Sequence, residues 1–140
     1  LLVFAGRFAR EKNLQVLVQA VQRLGPGYHL VLAGSGRLPA LSRNVSVWGY
    51  VADARALASL LASSDAFVHA GDQETFGLVV LEAMACGLPV ACVPGGAVSE
   101  LVTGATGVVA SRADADALAE AVHALGSRDA AAMSRAARAH

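Results

Sequence analysis

Residues 66–93 read AFVHAGDQETFGLVVLEAMACGLPVACV. The stretch opens on Ala66-Phe67-Val68-His69-Ala70, a short apolar run of strand length, and closes on another, Pro89 to Val93. Between them residues 77–86 have helical length and are stopped by Gly87-Leu88-Pro89. Strand, helix and strand in so short a span make a βαβ unit, whose two strands must run parallel. Phe76 to Val93 is apolar enough to suggest a membrane span. Glu82 and the Gly87–Pro89 break fall inside it, so it reads as helix, turn and strand instead.

The same alternation extends in both directions. Strands are expected at residues 1–5, 28–33, 45–48, 66–70, 89–93 and 107–110, as continuous apolar runs suited to a sheet covered on both faces. Leu14, Leu17, Val18, Val21 and Leu24 recur at three- and four-residue spacing, and Gly25-Pro26-Gly27 ends that helix. Asp53 is placed to cap a helix burying Leu57, Leu60 and Leu61, and Asp114 one burying Leu118, Val122 and Leu125. Residues 130–140 are helical by composition. Residues 37–44 are short for a sheet-covering helix. The fold class is α/β: a doubly wound, Rossmann-like parallel sheet of about six strands. In such a sheet strands one and four lie side by side and ligands bind beyond their carboxyl ends.

Eleven basic residues balance eleven acidic ones among 140, so no broad positive field exists for nucleic acid or an anionic membrane surface. The hydrophobic fraction of 55% and mean hydropathy of +0.51 suit buried parallel strands and a face that another domain covers. No basic segment, apolar run and cleavage site opens the sequence, so the cytoplasm is the default expectation. Cys86 and Cys92 form no metal or disulfide pattern and read as small buried thiols. The sequence begins in mid-strand without Met, which reads as one domain, residues 1–140, cut from a longer protein.

Two loops at the switch point carry polar residues out of keeping with their surroundings. The first, Gly6-Arg7-Phe8-Ala9-Arg10-Glu11-Lys12-Asn13, sets cations between a buried strand and a helix start. A cation beside the positive end of a helix dipole is unfavourable unless an anion joins it, so Arg7 and Lys12 read as a phosphate clamp, with Arg10 and Glu11 as a surface pair. The second runs from Gly71 to Thr75 and enters the helix carrying Glu82. Glu82 has almost wholly apolar sequence neighbours, a setting in which a buried carboxylate needs donors. Glu74 and Glu82 are roughly 12 Å apart along a helix, too far to act as a hydrolase's carboxylate pair on one bond. His69 ends strand four near the site, either packed or touching ligand. Trp48 reads as core; Tyr50 is open.

Glu74 and Glu82 with seven residues between them, Phe76-Gly77-Leu78, and Ala83-Met84-Ala85-Cys86-Gly87-Leu88-Pro89-Val90 resemble the EX7E motif of retaining GT-B glycosyltransferases. Gly6-Arg7 with Glu11-Lys12-Asn13 is similar to that family's diphosphate loop. Gly95-Gly96 with Glu100, and Gly104 with Thr106-Gly107, resemble the glycine-rich turns that follow. The resemblance covers Leu1 to about Leu125. It implies the C-terminal, nucleotide-sugar-binding half of a GT-B enzyme using a UDP- or GDP-hexose, with a glycolipid or polysaccharide acceptor held by an N-terminal domain outside the chain. Any peripheral contact with the cytoplasmic face of a membrane would come through that missing half.

By that resemblance Arg7, Lys12 and Glu74 are the catalytic positions: the cations hold and neutralise the diphosphate, and Glu74 binds sugar hydroxyls. Glu82 would bind the ribose. Gly6, Gly34, Tyr50, Val51, Thr75, Phe76, Gly77 and Leu78 would line the donor site, with Gly49, Tyr50 and Val51 near the base and the amides of residues 76–78 facing diphosphate or sugar. No metal and no further cofactor are expected, the nucleotide sugar being substrate. The competing readings are a sugar-nucleotide epimerase, a phosphorylase, a non-catalytic nucleotide-binding module and an NAD-binding domain. A phosphorylase needs a further Lys for pyridoxal phosphate, and Lys12 is the single Lys. NAD binding lacks its glycine fingerprint after strand one.

Overall fold

The computed structural model describes residues 1–73 and 77–139. Its elements follow in the order Leu2–Ala5 (β1), Leu14–Leu24 (α1), Leu30–Ala33 (β2), Val45–Gly49 (β3), Ala54–Ala62 (α2), Ala66–His69 (β4), Leu78–Ala85 (α3), Val90–Cys92 (β5), Gly96–Leu101 (α4), Gly107–Val109 (β6), Ala115–Gly126 (α5) and Ala130–Ala139 (α6). The strands form one sheet in the order β3-β2-β1-β4-β5-β6, every ladder parallel. The winding reverses between β1 and β4, and right-handed crossovers then put the connections of the two halves on opposite faces. The expected six strands and their switch point are present.

Burial explains why the apolar runs became strands. β1, β2, β4 and β5 are buried at every residue, as expected where helices cover both faces. Helix α1 buries Leu14, Leu17, Val18 and Val21, and α5 buries Leu118, Val122 and Leu125. These two helices pack on each other, α5 lies on β5 and β6, and α3 meets α6. Both expected caps form: Asp53 accepts from the Arg55 amide at 2.9 Å, and Asp114 from the Ala117 amide at 2.8 Å.

Several expectations are corrected. Trp48 is not core but 59% exposed, because β3 is the edge strand and residues 37–44 form no helix to cover it. The short length of that segment was thus the better guide. Gly95-Gly96 does not only turn; it opens the short helix α4. Leu57 is half-buried rather than core, and looks into a cavity described below. Of the two thiols, Cys92 is buried as expected and Cys86 only half-buried.

Candidate functional site

The β1 chain does not stop at Ala5. The amide of Gly6 donates to the Ala33 carbonyl at 3.0 Å and that of Phe8 to Ser35 at 2.8 Å, so the segments beyond β1 and β2 stay side by side. The approach is close enough to require glycine: a Cβ on Gly34 would lie 1.9 Å from the Gly6 carbonyl oxygen. A single 3-10 turn, Arg10–Lys12, then leads to Asn13, whose left-handed backbone (φ 51°) starts α1. Lys12 therefore sits in the turn before the helix rather than in its first turn.

Beyond the carboxyl ends of β1, β2 and β4 lie two adjoining cavities of about 400 and 350 Å³, each of the size that small ligands fill. The first is lined by Gly34, Ser35, Tyr50, Val51 and Leu57, and the second by Lys12, His69, Gly77 and Leu78. Ala5, Gly6, Arg7 and Val79 belong to both walls. The structure thus brings Gly6, Arg7, Lys12, Gly34, Tyr50, Val51, Gly77 and Leu78 to one place. Tyr50 is 76% exposed at the rim, and Leu78 is also exposed. The expected positions Glu74, Thr75 and Phe76 lie outside the described residues.

Charge in the loop is arranged differently from the sequence expectation. Glu11 pairs not with Arg10 but with Arg7, whose Nη2 donates to Oε1 at 3.0 Å. The reason is the turn, which folds the chain so that residues four apart meet. Glu11's own backbone amide first, and then the Arg7 guanidinium, hold its carboxyl below the ordinary carboxylate range. Glu82 is corrected as well: it lies on the exposed face of α3, opposite Val80, Ala83 and Met84, so its apolar sequence neighbours do not bury it. It is not among the described residues lining either cavity.

His69 is packed and also lines a cavity. It is 4% exposed, its ring 6.0 Å from that of Phe4, and it still contributes to the second cavity. The sequence reading missed Val79, an apolar residue on an apolar helix, which carries no local signal. Ser35 also lines the first cavity. Among the described residues no three of His, Cys, Asp and Glu gather as a metal-binding set, and no helix is long and apolar enough to cross a membrane.

The chain is 37% identical over 137 residues to the GDP-mannose-dependent alpha-(1-6)-phosphatidylinositol dimannoside mannosyltransferase of Mycobacterium tuberculosis, covering 91% of this chain and 36% of that protein. It therefore spans about a third of that relative's length. In fold it matches sucrose-phosphate synthase from Thermosynechococcus elongatus, with a TM-score of 0.86 and 28% identity over 99% of this chain and 39% of that one. HepE from Anabaena, solved in complex with UDP, matches with a TM-score of 0.84 and 25% identity, over 99% and 43%. The model of the family "Glycosyl transferases group 1" matches residues 1–128. With that match spanning nearly all of the sheet and the loops that build the two cavities, the chain belongs to the group 1 glycosyltransferases.

Proposed function

We propose that this chain is the donor-binding domain of a retaining glycosyltransferase, taking a UDP- or GDP-hexose and delivering the sugar to a glycolipid or polysaccharide acceptor held by an N-terminal domain. The observation that carries the reading is the position of Arg7 in the shared wall of two cavities at the switch point. A nucleotide sugar has two bulky ends joined by a diphosphate. The reading sets base and ribose in the cavity of Tyr50, Val51 and Leu57, the sugar beside Lys12 and Gly77, and the diphosphate over Gly6 and Arg7. The GDP-mannose dependence of the mycobacterial relative and the UDP bound to HepE support a nucleoside diphosphate.

In this role Arg7 and Lys12 neutralise charge on the departing diphosphate. Fixed cations do this without reorganising during the reaction. The first amides of α3, which have no partner within the helix, would add donors for an anion. Glu74 takes the sugar hydroxyls; Glu82, exposed on α3 and not among the described residues lining either cavity, is left without a ligand contact in this placement. Retention follows from front-face attack through an oxocarbenium-like state, with the acceptor approaching on the side the diphosphate leaves. The test is calorimetric titration with UDP, GDP and ADP and the matching monophosphates. Diphosphates are expected to bind at least about tenfold tighter, a charge-assisted hydrogen bond to phosphate being worth about 1.5–3 kcal/mol. Equal affinity for mono- and diphosphates would refute the clamp.

A further inference from the structure

We propose that Glu11 is an internal stand-in for the donor phosphate: its carboxylate occupies the Arg7 guanidinium in the empty site and gives it up when a nucleoside diphosphate enters. The inference rests on the donor-site reading above and adds a role for a residue which that reading leaves unused. Two hydrogen bonds fold the loop, Ala9 amide to Arg7 carbonyl and Lys12 amide to Ala9 carbonyl, each 3.0 Å. They set Arg7 and Glu11 side by side and send Lys12 to the second cavity. Glu11's backbone packs close to Gly71, its carbonyl oxygen lying 2.9 Å from where a Cβ there would sit.

The contact has the character of something to be exchanged. One Arg7 nitrogen donates to one carboxylate oxygen, and the two side chains are 74% and 44% exposed. Exposed single-contact pairs are weak, whereas phosphate engages the planar guanidinium fork by two parallel bonds and carries more charge. Arg7 also lines both cavities while Glu11 is not among the described residues lining either. A diphosphate spanning the shared wall competes with Glu11 for the Arg7 guanidinium. Left in place, the carboxylate would repel the incoming anion. The pair keeps the guanidinium from closing on stray anions and sets a threshold that a strong phosphate ligand crosses.

The experiment titrates wild type, Glu11→Gln, Arg7→Gln and the double variant with UDP and GDP, by NMR up to millimolar nucleotide so that weak binding is still read. Glu11→Gln is expected to tighten binding by about two- to fivefold in the wild-type background and to have no effect in Arg7→Gln. Weaker or unchanged binding in Glu11→Gln overturns the inference, because Glu11 would then position Arg7 or play no part. Equal tightening in both backgrounds also overturns it, since a general field effect needs no Arg7. If Arg7→Gln binds too weakly to read, exchange of the Arg7 Nη2 protons decides: without nucleotide it must be slower in wild type than in Glu11→Gln, and equal rates overturn the proposal. Failure of wild type to bind either nucleotide overturns the donor-site reading, and this inference with it. An unchanged affinity in Glu11→Gln beside normal wild-type binding sinks the inference alone.

Discussion

The side-chain amide of Asn13 donates to the backbone carbonyl of Ala70 at 2.9 Å. The two residues are 57 positions apart, and the bond ties the loop after β1 to the chain leaving β4. Everything the candidate site needs from these loops depends on their spacing. Asn13 also holds a left-handed backbone, which Asn tolerates and Ala does not.

Two substitutions separate these duties. Asn13→Gly keeps the backbone and loses the bridge, and should cost about 1 kcal/mol of stability. Asn13→Ala loses both and should cost roughly a further 1–2 kcal/mol. Both should weaken UDP or GDP binding, measured by calorimetry beside thermal unfolding. If Asn13→Gly binds like wild type, the bridge is structural only.

Close approach makes Gly34 the most sensitive glycine at the site. A Cβ there would stand 1.9 Å from a backbone oxygen, which no rotamer change relieves. Gly34→Ala should lose about 2–4 kcal/mol, against a change within about 0.5 kcal/mol for Gly104→Ala. A Cβ at Gly104 meets no atom within 4 Å. Denaturant unfolding of the pair checks this, and similar midpoints would contradict the packing.

Arg7 borders both cavities and Lys12 only the second, so their removal should differ. Arg7→Ala should weaken mono- and diphosphates alike, by about tenfold or more. Lys12→Ala should spare the monophosphate and narrow its gap to the diphosphate. Titration of both variants with UMP and UDP, and with GMP and GDP, reads the pattern directly.

Burial pushes the Cys92 thiol from an ordinary value of 9.0 up to about 12. The folded chain then keeps a proton that the unfolded chain releases above pH 9. This contribution to stability is complete below pH 9 and is lost as pH rises toward 12. At pH 8 an aromatic disulfide reagent should label half-buried Cys86 well before Cys92, and both at once in denaturant. Prompt labelling of both thiols in the native chain would show the β5 interior to be open.

The donor reading also predicts that these 140 residues bind a nucleotide sugar but do not transfer it. Orienting two substrates is worth roughly 7–11 kcal/mol, and the donor reading assigns both cavities to the nucleotide sugar. Slow donor hydrolysis is expected at most. Radiolabelled UDP- and GDP-hexoses with lipid and sugar acceptors test it, and multiple-turnover transfer would place the acceptor site inside this chain.

The sequence made the strands legible because a parallel interior strand is apolar at every position, as in Leu30 to Ala33, and the helices legible where an aspartate caps an apolar stripe. It placed Arg7 and Lys12 at the switch point because they are charged residues between the buried strand β1 and the buried face of α1. What it could not give depended on distant chain. Trp48 is exposed because of where β3 falls in the sheet, Glu82 because of the phase of α3, and the partner of Glu11 because of one short turn. Val79 looked like any valine on an apolar helix.

That same Val79 forms part of both cavity walls. Any change of bulk there is felt by a ligand's two ends together, so the position offers no means of altering preference for one end alone. An engineer seeking a new nucleobase should vary Leu57 or Tyr50, and one seeking a new sugar should vary Leu78, leaving Val79 fixed. Variants at Val79 should show correlated changes in both preferences, a hinge in selectivity rather than in backbone.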